Sequence, residues 1–107
     1  TLDKRLIDFF NDMYFGGVDL DLKDPRLCPA LAQKLSGAPP AHIITAEYDP
    51  LRDEGEEYSQ LLSAAGVQAT YRCYKGLMHN FILQTAVVTL ANEAVGDCAS
   101  FLKQQLA

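Results

Sequence analysis

Pro39-Pro40-Ala41-His42-Ile43-Ile44-Thr45-Ala46-Glu47-Tyr48-Asp49-Pro50-Leu51-Arg52-Asp53-Glu54-Gly55-Glu56 holds, in one run, a strand, the acid that ends it and the start of a helix. Residues 41–48 are a short apolar, β-branched run opened by two prolines and closed by Asp49-Pro50, which is the pattern of a buried strand. From Leu51 onward the apolar residues 51, 58, 61, 62 and 65 recur at helical spacing and stop at Gly66, the usual position of a left-handed helix terminator. A second strand is expected over residues 68–74. It is followed by a loop, Lys75-Gly76-Leu77-Met78-His79-Asn80-Phe81. A strand, a helix and a strand joined by a crossover of this length make the two strands parallel. Their C-terminal ends then open on one edge of the sheet, where open α/β sheets carry their sites. Asp49 follows the first strand and His79 the second. Neighbouring strands lie about 4.8 Å apart, so the carboxylate and the imidazole can meet.

The same residues carry a resemblance. The string at 39–57, with Ala65-Gly66-Val67 and His79-Asn80-Phe81 after it, resembles the C-terminal part of an α/β-hydrolase, and more narrowly the hormone-sensitive-lipase-like family of carboxylesterases and lipases. The likeness runs over roughly residues 2–106. It implies an α/β fold in which a helix is followed by strand, helix, strand and helix, the strands being parallel. It also implies that Asp49, in Asp-Pro-Leu-x-Asp, is the acid of a catalytic triad and that His79 is its base. Asn80 stands where that family usually has Gly, and Asn is the next most tolerant residue of a positive φ. The resemblance implies a small-molecule ester as substrate and no metal or organic cofactor.

Read by themselves, these residues have structural roles as well. Asp before Pro is a good helix start, because the carboxylate accepts free N–H groups and Pro fills the first turn without losing a bond. A second start lies at Asp53-Glu54-Gly55-Glu56, which has the acid-x-x-Glu form of a capping box. If Asp53 caps the helix, Asp49 is released for other work. The cluster Asp53, Glu54, Glu56 and Glu57 suits the positive end of the helix dipole, at about 0.3–1 kcal/mol each, better than it suits a metal. His42, inside the first strand, is expected to be a hydrogen-bonded strand residue rather than a base. His79 sits in a short loop beside Met78 and Phe81. Histidine ionises near neutral pH, and a carboxylate beside the ring would fix its tautomer and stabilise the imidazolium that forms during catalysis.

The flanks complete the domain. Leu6, Phe9, Phe10, Met13 and Tyr14 recur every three or four positions before Gly16-Gly17, which predicts an amphipathic helix whose aromatic stripe is core; in the resembled family a helix here lies near the substrate pocket. Residues 16–40 read as loop. Cys28-Pro29 falls in this loop, and the sequence places no cation beside Cys28 that would make it reactive. Residues 85–106 space Val87, Ala91, Ala94, Cys98, Phe101 and Leu102 as a closing helix. Gly96 interrupts it, as a close approach to a strand would require.

Composition bounds the function. The chain has 107 residues, is 49% hydrophobic and carries a net charge of −5, so one domain with a modest core is expected and nucleic acid is not an expected partner. No apolar run reaches the roughly 18–20 residues of a membrane span. Three cysteines without zinc-type spacing are expected to be buried free thiols in a reducing, cytoplasmic setting. A start at Thr1 fits a piece of a longer protein. Ser36, Ser59, Ser63 and Ser100 all lack the Gly-x-Ser-x-Gly setting of a hydrolase nucleophile. The expectation is therefore that residues 1–107 form a single C-terminal portion supplying acid and base but no nucleophile or oxyanion hole. Such a chain by itself is inactive, and it associates with itself or with a missing N-terminal portion. The alternative is a non-catalytic hydrolase-like domain used for binding or assembly. A phosphate-binding module is disfavoured because no glycine-rich turn follows a strand.

Overall fold

The computed structural model describes residues 2–107. Helix α1 spans Lys4–Phe15 and starts where Asp3 accepts the Leu6 N–H at 2.9 Å, one of the free donors that a helix start must satisfy. Residues 16–40 are turns with a single 3₁₀ turn at Pro29–Leu31. Strand β1 (Ala41–Tyr48), helix α2 (Arg52–Ala64) and strand β2 (Ala69–Met78) follow, and helix α3 (Thr89–Leu106) ends the chain. β1 and β2 are parallel, in register from Ala41 opposite Ala69 to Ala46 opposite Tyr74. These two strands form the sheet of the described residues, so each has one edge without a neighbouring strand.

The helices lie on opposite faces, as the alternation of β1 dictates. Thr45 and Ile43 face α2: a Cβ built on Gly55 would stand 2.7 Å from the Thr45 Cγ2 and 3.8 Å from the Ile43 Cγ2. Ala46 and Ile44 face the other way, into a core with Tyr74, Phe81, Ala91 and Ala94. The two alanines of α3 are fully buried, and their small side chains let the helix lie close to the sheet. α2 ends as its glycine foretold: Gly66 has φ +83 and the Val67 N–H returns to the Leu62 carbonyl at 3.0 Å, a Schellman-type closure. Leu62 beneath it is 2% exposed, a burial that stabilises by roughly 1.5–3 kcal/mol.

A polar network ties α3 to β2. Arg72 pairs with Glu93 at 3.0 Å and with Asp97, lies 4.5 Å over the Tyr74 ring, and shares Asp97 with the Tyr74 hydroxyl, which donates to it. Burial first, and then the Asp97 carboxylate, push the Tyr74 phenol up to about 12. The hydrogen bond from Tyr74 is in turn the chief cause holding Asp97 below the usual carboxylate range. His42 is the hydrogen-bonded strand residue expected: its Nδ1 lies 2.7 Å from the Thr70 Oγ1 and its ring stacks on Phe101.

Five expectations are corrected. The aromatic stripe of α1 is not core, because Phe9, Phe10, Met13 and Tyr14 are all more than half exposed; a 3.6-residue period shows that a helix has an apolar face but not what covers it. Asp53 does not cap α2. It lies inside the first turn and pairs with Arg52 at 2.9 Å. Gly96 faces open space, and the glycine of close approach is Gly55. The closing helix starts at Thr89 rather than at residue 85, and Val87 is 83% exposed in the turn before it. The three cysteines are free but half-buried, not fully buried.

Candidate active site

Asp49 and His79 meet. β1 ends at Tyr48, and Asp49 turns the chain toward α2, its backbone carbonyl accepting the Arg52 N–H at 3.1 Å. One carboxylate oxygen, Oδ1, accepts the Leu51 N–H at 2.9 Å. The other, Oδ2, lies 2.8 Å from the His79 Nδ1. Helix α2 has Leu51 as its N-cap without a side-chain capping bond, so Asp49 does not cap it as its place before Pro50 suggests; Oδ1 instead closes a turn on the Leu51 N–H ahead of the helix, while Oδ2 lies against the imidazole. This double use holds the carboxylate in one rotamer. An ionised carboxylate can only accept, so the neutral ring carries its proton on Nδ1 and leaves the Nε2 lone pair for a reactant.

His79 is held from the other side by the loop that carries it. Asn80 has φ +63, the left-handed conformation for which Asn is well suited, and it turns the chain directly after the histidine. Phe81 then drops into the core, 7% exposed with its ring centroid 5.4 Å from that of Tyr74. The Leu83 N–H closes a 3₁₀ turn on the Asn80 carbonyl at 3.0 Å. The Asp49 side chain is 11% and the His79 side chain 29% exposed, so the carboxylate is shielded while the imidazole still reaches solvent. The imidazole lines a cleft of about 510 Å³ with Leu6 and Phe10 of α1, Met78, Asn80 and Gln84. Thus Leu6 and Phe10 of α1 form one wall of the cleft onto which the imidazole opens.

β2 was expected to end before His79's loop began at residue 75; it continues to Met78 through an irregularity. Between the pairs Ala46–Tyr74 and Tyr48–Met78, one residue of β1, Glu47, faces three of β2, Lys75, Gly76 and Leu77. Gly76 there has φ +76, and its N–H donates to the Glu47 Oε2 at 2.7 Å. A glycine inside a strand is the sequence signal of a bulge, whereas nothing local marks Glu47 as its partner. Among the described residues no group of three or more His, Cys, Asp or Glu side chains is placed to hold a metal ion, and no helix is long and apolar enough to cross a membrane. None of the four serines lines the cleft of His79. Ser59 is buried on α2, its hydroxyl donating to the Glu56 carbonyl at 2.7 Å.

A carboxylate oriented on a histidine, each just beyond the C-terminal end of one of two adjacent parallel strands, is the arrangement of a hydrolase built on an open α/β sheet. Residues 1–83 match the family model described as alpha/beta hydrolase fold. The chain belongs to that family. It is 49% identical over 81 residues to the carboxylic ester hydrolase LipN of Mycobacterium tuberculosis, an alignment covering 76% of this chain and 22% of the relative. It is 41% identical over 108 residues to the carboxylesterase NlhH of the same organism, covering 98% of this chain and 34% of the relative. Among solved structures, the hyperthermophilic esterase from Pyrobaculum calidifontis superposes with a TM-score of 0.88 at 41% identity, over 96% of this chain and 33% of that one. The chain thus spans between about a fifth and a third of the length of these proteins.

Proposed function

We propose that residues 1–107 are the acid-and-base portion of a hormone-sensitive-lipase-like carboxylesterase or lipase acting on short-chain esters, with Asp49 and His79 as catalytic residues. The observation that carries this reading is the 2.8 Å contact between the Asp49 Oδ2 and the His79 Nδ1, with His79 lining a cleft that Leu6 and Phe10 wall on one side. The activities of these relatives, carboxylic ester hydrolase and carboxylesterase, support the same chemistry. Asp49 keeps the His79 Nδ1 protonated and the Nε2 free. The Nε2 takes the proton of a serine hydroxyl as it attacks the ester carbonyl, and then delivers that proton to the leaving alcohol. Asp49 stabilises the imidazolium between the two transfers. The ring of Phe10 and the side chain of Leu6 supply an apolar wall for the substrate.

The serine and the oxyanion hole come from outside these residues, so the isolated chain is inactive. The exposed α1 stripe and the bare strand edges support a partner surface, either the N-terminal portion of the same protein or a second copy. Three unpaired cysteines support a cytoplasmic location. The test is to treat the complete protein containing this chain with a serine-directed organophosphorus ester and map the adduct by mass spectrometry. The reading expects one labelled serine on a Gly-x-Ser-x-Gly segment outside residues 1–107 and no label on the isolated chain. Labelling at Ser36, Ser59, Ser63 or Ser100, or activity without any adduct, contradicts it.

A further inference from the structure

The bulge that precedes His79 is held by a charged side chain whose position cannot be explained by burial alone. Glu47 is the single β1 residue opposite the three of the bulge, and it points its carboxylate at the backbone of Gly76, whose N–H it accepts at 2.7 Å. That N–H faces the interruption of the ladder and has no carbonyl opposite it in register. A carboxylate acceptor gives a bond roughly twice as strong as a neutral one. The Glu47 carbonyl meanwhile accepts from the Arg52 Nη1 at 3.0 Å, and Arg52 is the first residue of α2. Residue 47 is therefore tied to the end of β1, the start of α2 and the bulge of β2 at once. Asp49 lies two positions after Glu47, and His79 lies three after Gly76. The tie thus spans the root of both site residues.

We propose that Glu47 is a positioning residue: its carboxylate closes the β2 bulge on Gly76 and so sets the separation and facing of Asp49 and His79. This inference rests on the triad reading above. Without the bond, Gly76 is free to leave its φ of +76, because a glycine has other conformations open to it, and the strand end that carries Met78 and His79 shifts with it. Displacing a catalytic group by about 1 Å lowers turnover by about 10²-fold. Substrate binding is left alone, since Glu47 does not line the cleft.

The experiment compares Glu47→Ala, Glu47→Gln and His79→Ala in the complete protein that contains this chain, with a short-chain p-nitrophenyl ester as substrate. Active sites are counted by stoichiometric organophosphorus labelling, so that kcat refers to folded, competent enzyme. Glu47→Ala is expected to lower kcat about 30- to 100-fold with KM within about threefold. Glu47→Gln keeps an oxygen acceptor without the charge, and should recover most of that loss, ending about three- to tenfold below the unaltered protein. The low-field proton resonance of the His79 Nδ1–H should broaden or vanish in Glu47→Ala and persist in Glu47→Gln. Should Glu47→Ala fail to fold, Glu47→Gln decides: an intermediate kcat supports the inference and an unaltered one overturns it. A Glu47→Ala protein with normal kcat per active site overturns the inference alone, provided that His79→Ala is inactive. Full turnover in His79→Ala overturns the triad reading and the positioning role with it.

Discussion

Two helical glycines, Gly55 and Gly96, give a paired test of how α2 is seated behind the site. Replacing either by Ala brings the same intrinsic gain, about 1 kcal/mol, from helix propensity. At Gly96 nothing lies within 4 Å of the new Cβ, so Gly96→Ala is expected to stabilise by about 0.5–1 kcal/mol. At Gly55 the new methyl would stand 2.7 Å from the Thr45 Cγ2, roughly 0.7 Å short of an ordinary contact. Thr45 cannot swing aside freely. Its χ1 is restricted by branching at Cβ, it is 8% exposed, and its Oγ1 lies 2.7 Å from the Tyr71 hydroxyl. Overpacking of this kind costs about 1–3 kcal/mol, and breaking the Thr45–Tyr71 bond costs about 1 kcal/mol more. Gly55→Ala is therefore expected to destabilise by about 1–3 kcal/mol after the propensity gain is subtracted. The two variants should differ by about 1.5–4 kcal/mol in urea unfolding of the complete protein. Because α2 begins only three residues after Asp49, relief by sliding the helix would also move the carboxylate, and Gly55→Ala should lose turnover while Gly96→Ala keeps it. A Gly55→Ala protein as stable as Gly96→Ala would refute the close approach of α2 to β1.

Further predictions concern the α3 network and the turn after His79. The Tyr74 phenol is raised to about 12, chiefly by burial, and an unfolded tyrosine ionises near about 10. Its contribution is fully present below about pH 10 and is lost as pH rises through about 12, so Tyr74→Phe should flatten the alkaline fall of stability in that window; equal slopes for the two proteins would count against it. Asp97 is depressed mainly by the hydrogen bond from Tyr74. Its contribution is present above the unfolded carboxylate value of about 3.9 and disappears as pH falls through the lower folded value; Asp97→Asn should therefore narrow the difference in melting temperature between neutral and acid solution, and an unchanged difference would oppose this. At Asn80, φ of +63 makes Asn80→Gly neutral within about 0.5 kcal/mol and Asn80→Val destabilising by about 1–2 kcal/mol, with a loss of turnover because the strain falls beside His79. Equal melting temperatures for the Gly and Val proteins would contradict the left-handed turn.

Which parts of this fold were legible in the sequence follows from how local their causes are. β1 is bounded by Pro40 and Asp49 and fills residues 41–48 as its apolar run predicts, and α2 stops at Gly66 because only a local φ is involved. Parallel pairing and the meeting of Asp49 with His79 follow from the crossover, which is a property of element order. The extension of β2 was not legible, because Lys75-Gly76-Leu77 reads as a turn until Glu47, 29 positions away in sequence from Gly76, supplies an acceptor. Asp53 matched the capping-box form, but α2 starts on Leu51 without any side-chain capping bond, and Asp49 holds only the Leu51 N–H in the turn before it. Gly55 was hidden inside an acidic run whose charges suggested the helix dipole, while its actual role depends on a Thr45 methyl on another element. The α1 stripe was visible as a period, and its exposure depends on what else packs there.

The central claim is that Asp49 serves catalysis through His79 and not only the start of α2. The most direct test is the turnover and melting temperature of Asp49→Asn in the complete protein, on a short-chain ester. Asn keeps an oxygen for the Leu51 N–H but cannot hold the imidazolium, so kcat is expected to fall by about 10³- to 10⁴-fold while the melting temperature stays within a few degrees. Near-normal turnover, or a small kinetic change accompanied by a large loss of stability, would show that Asp49 serves only the turn into α2 and that its contact with His79 is structural.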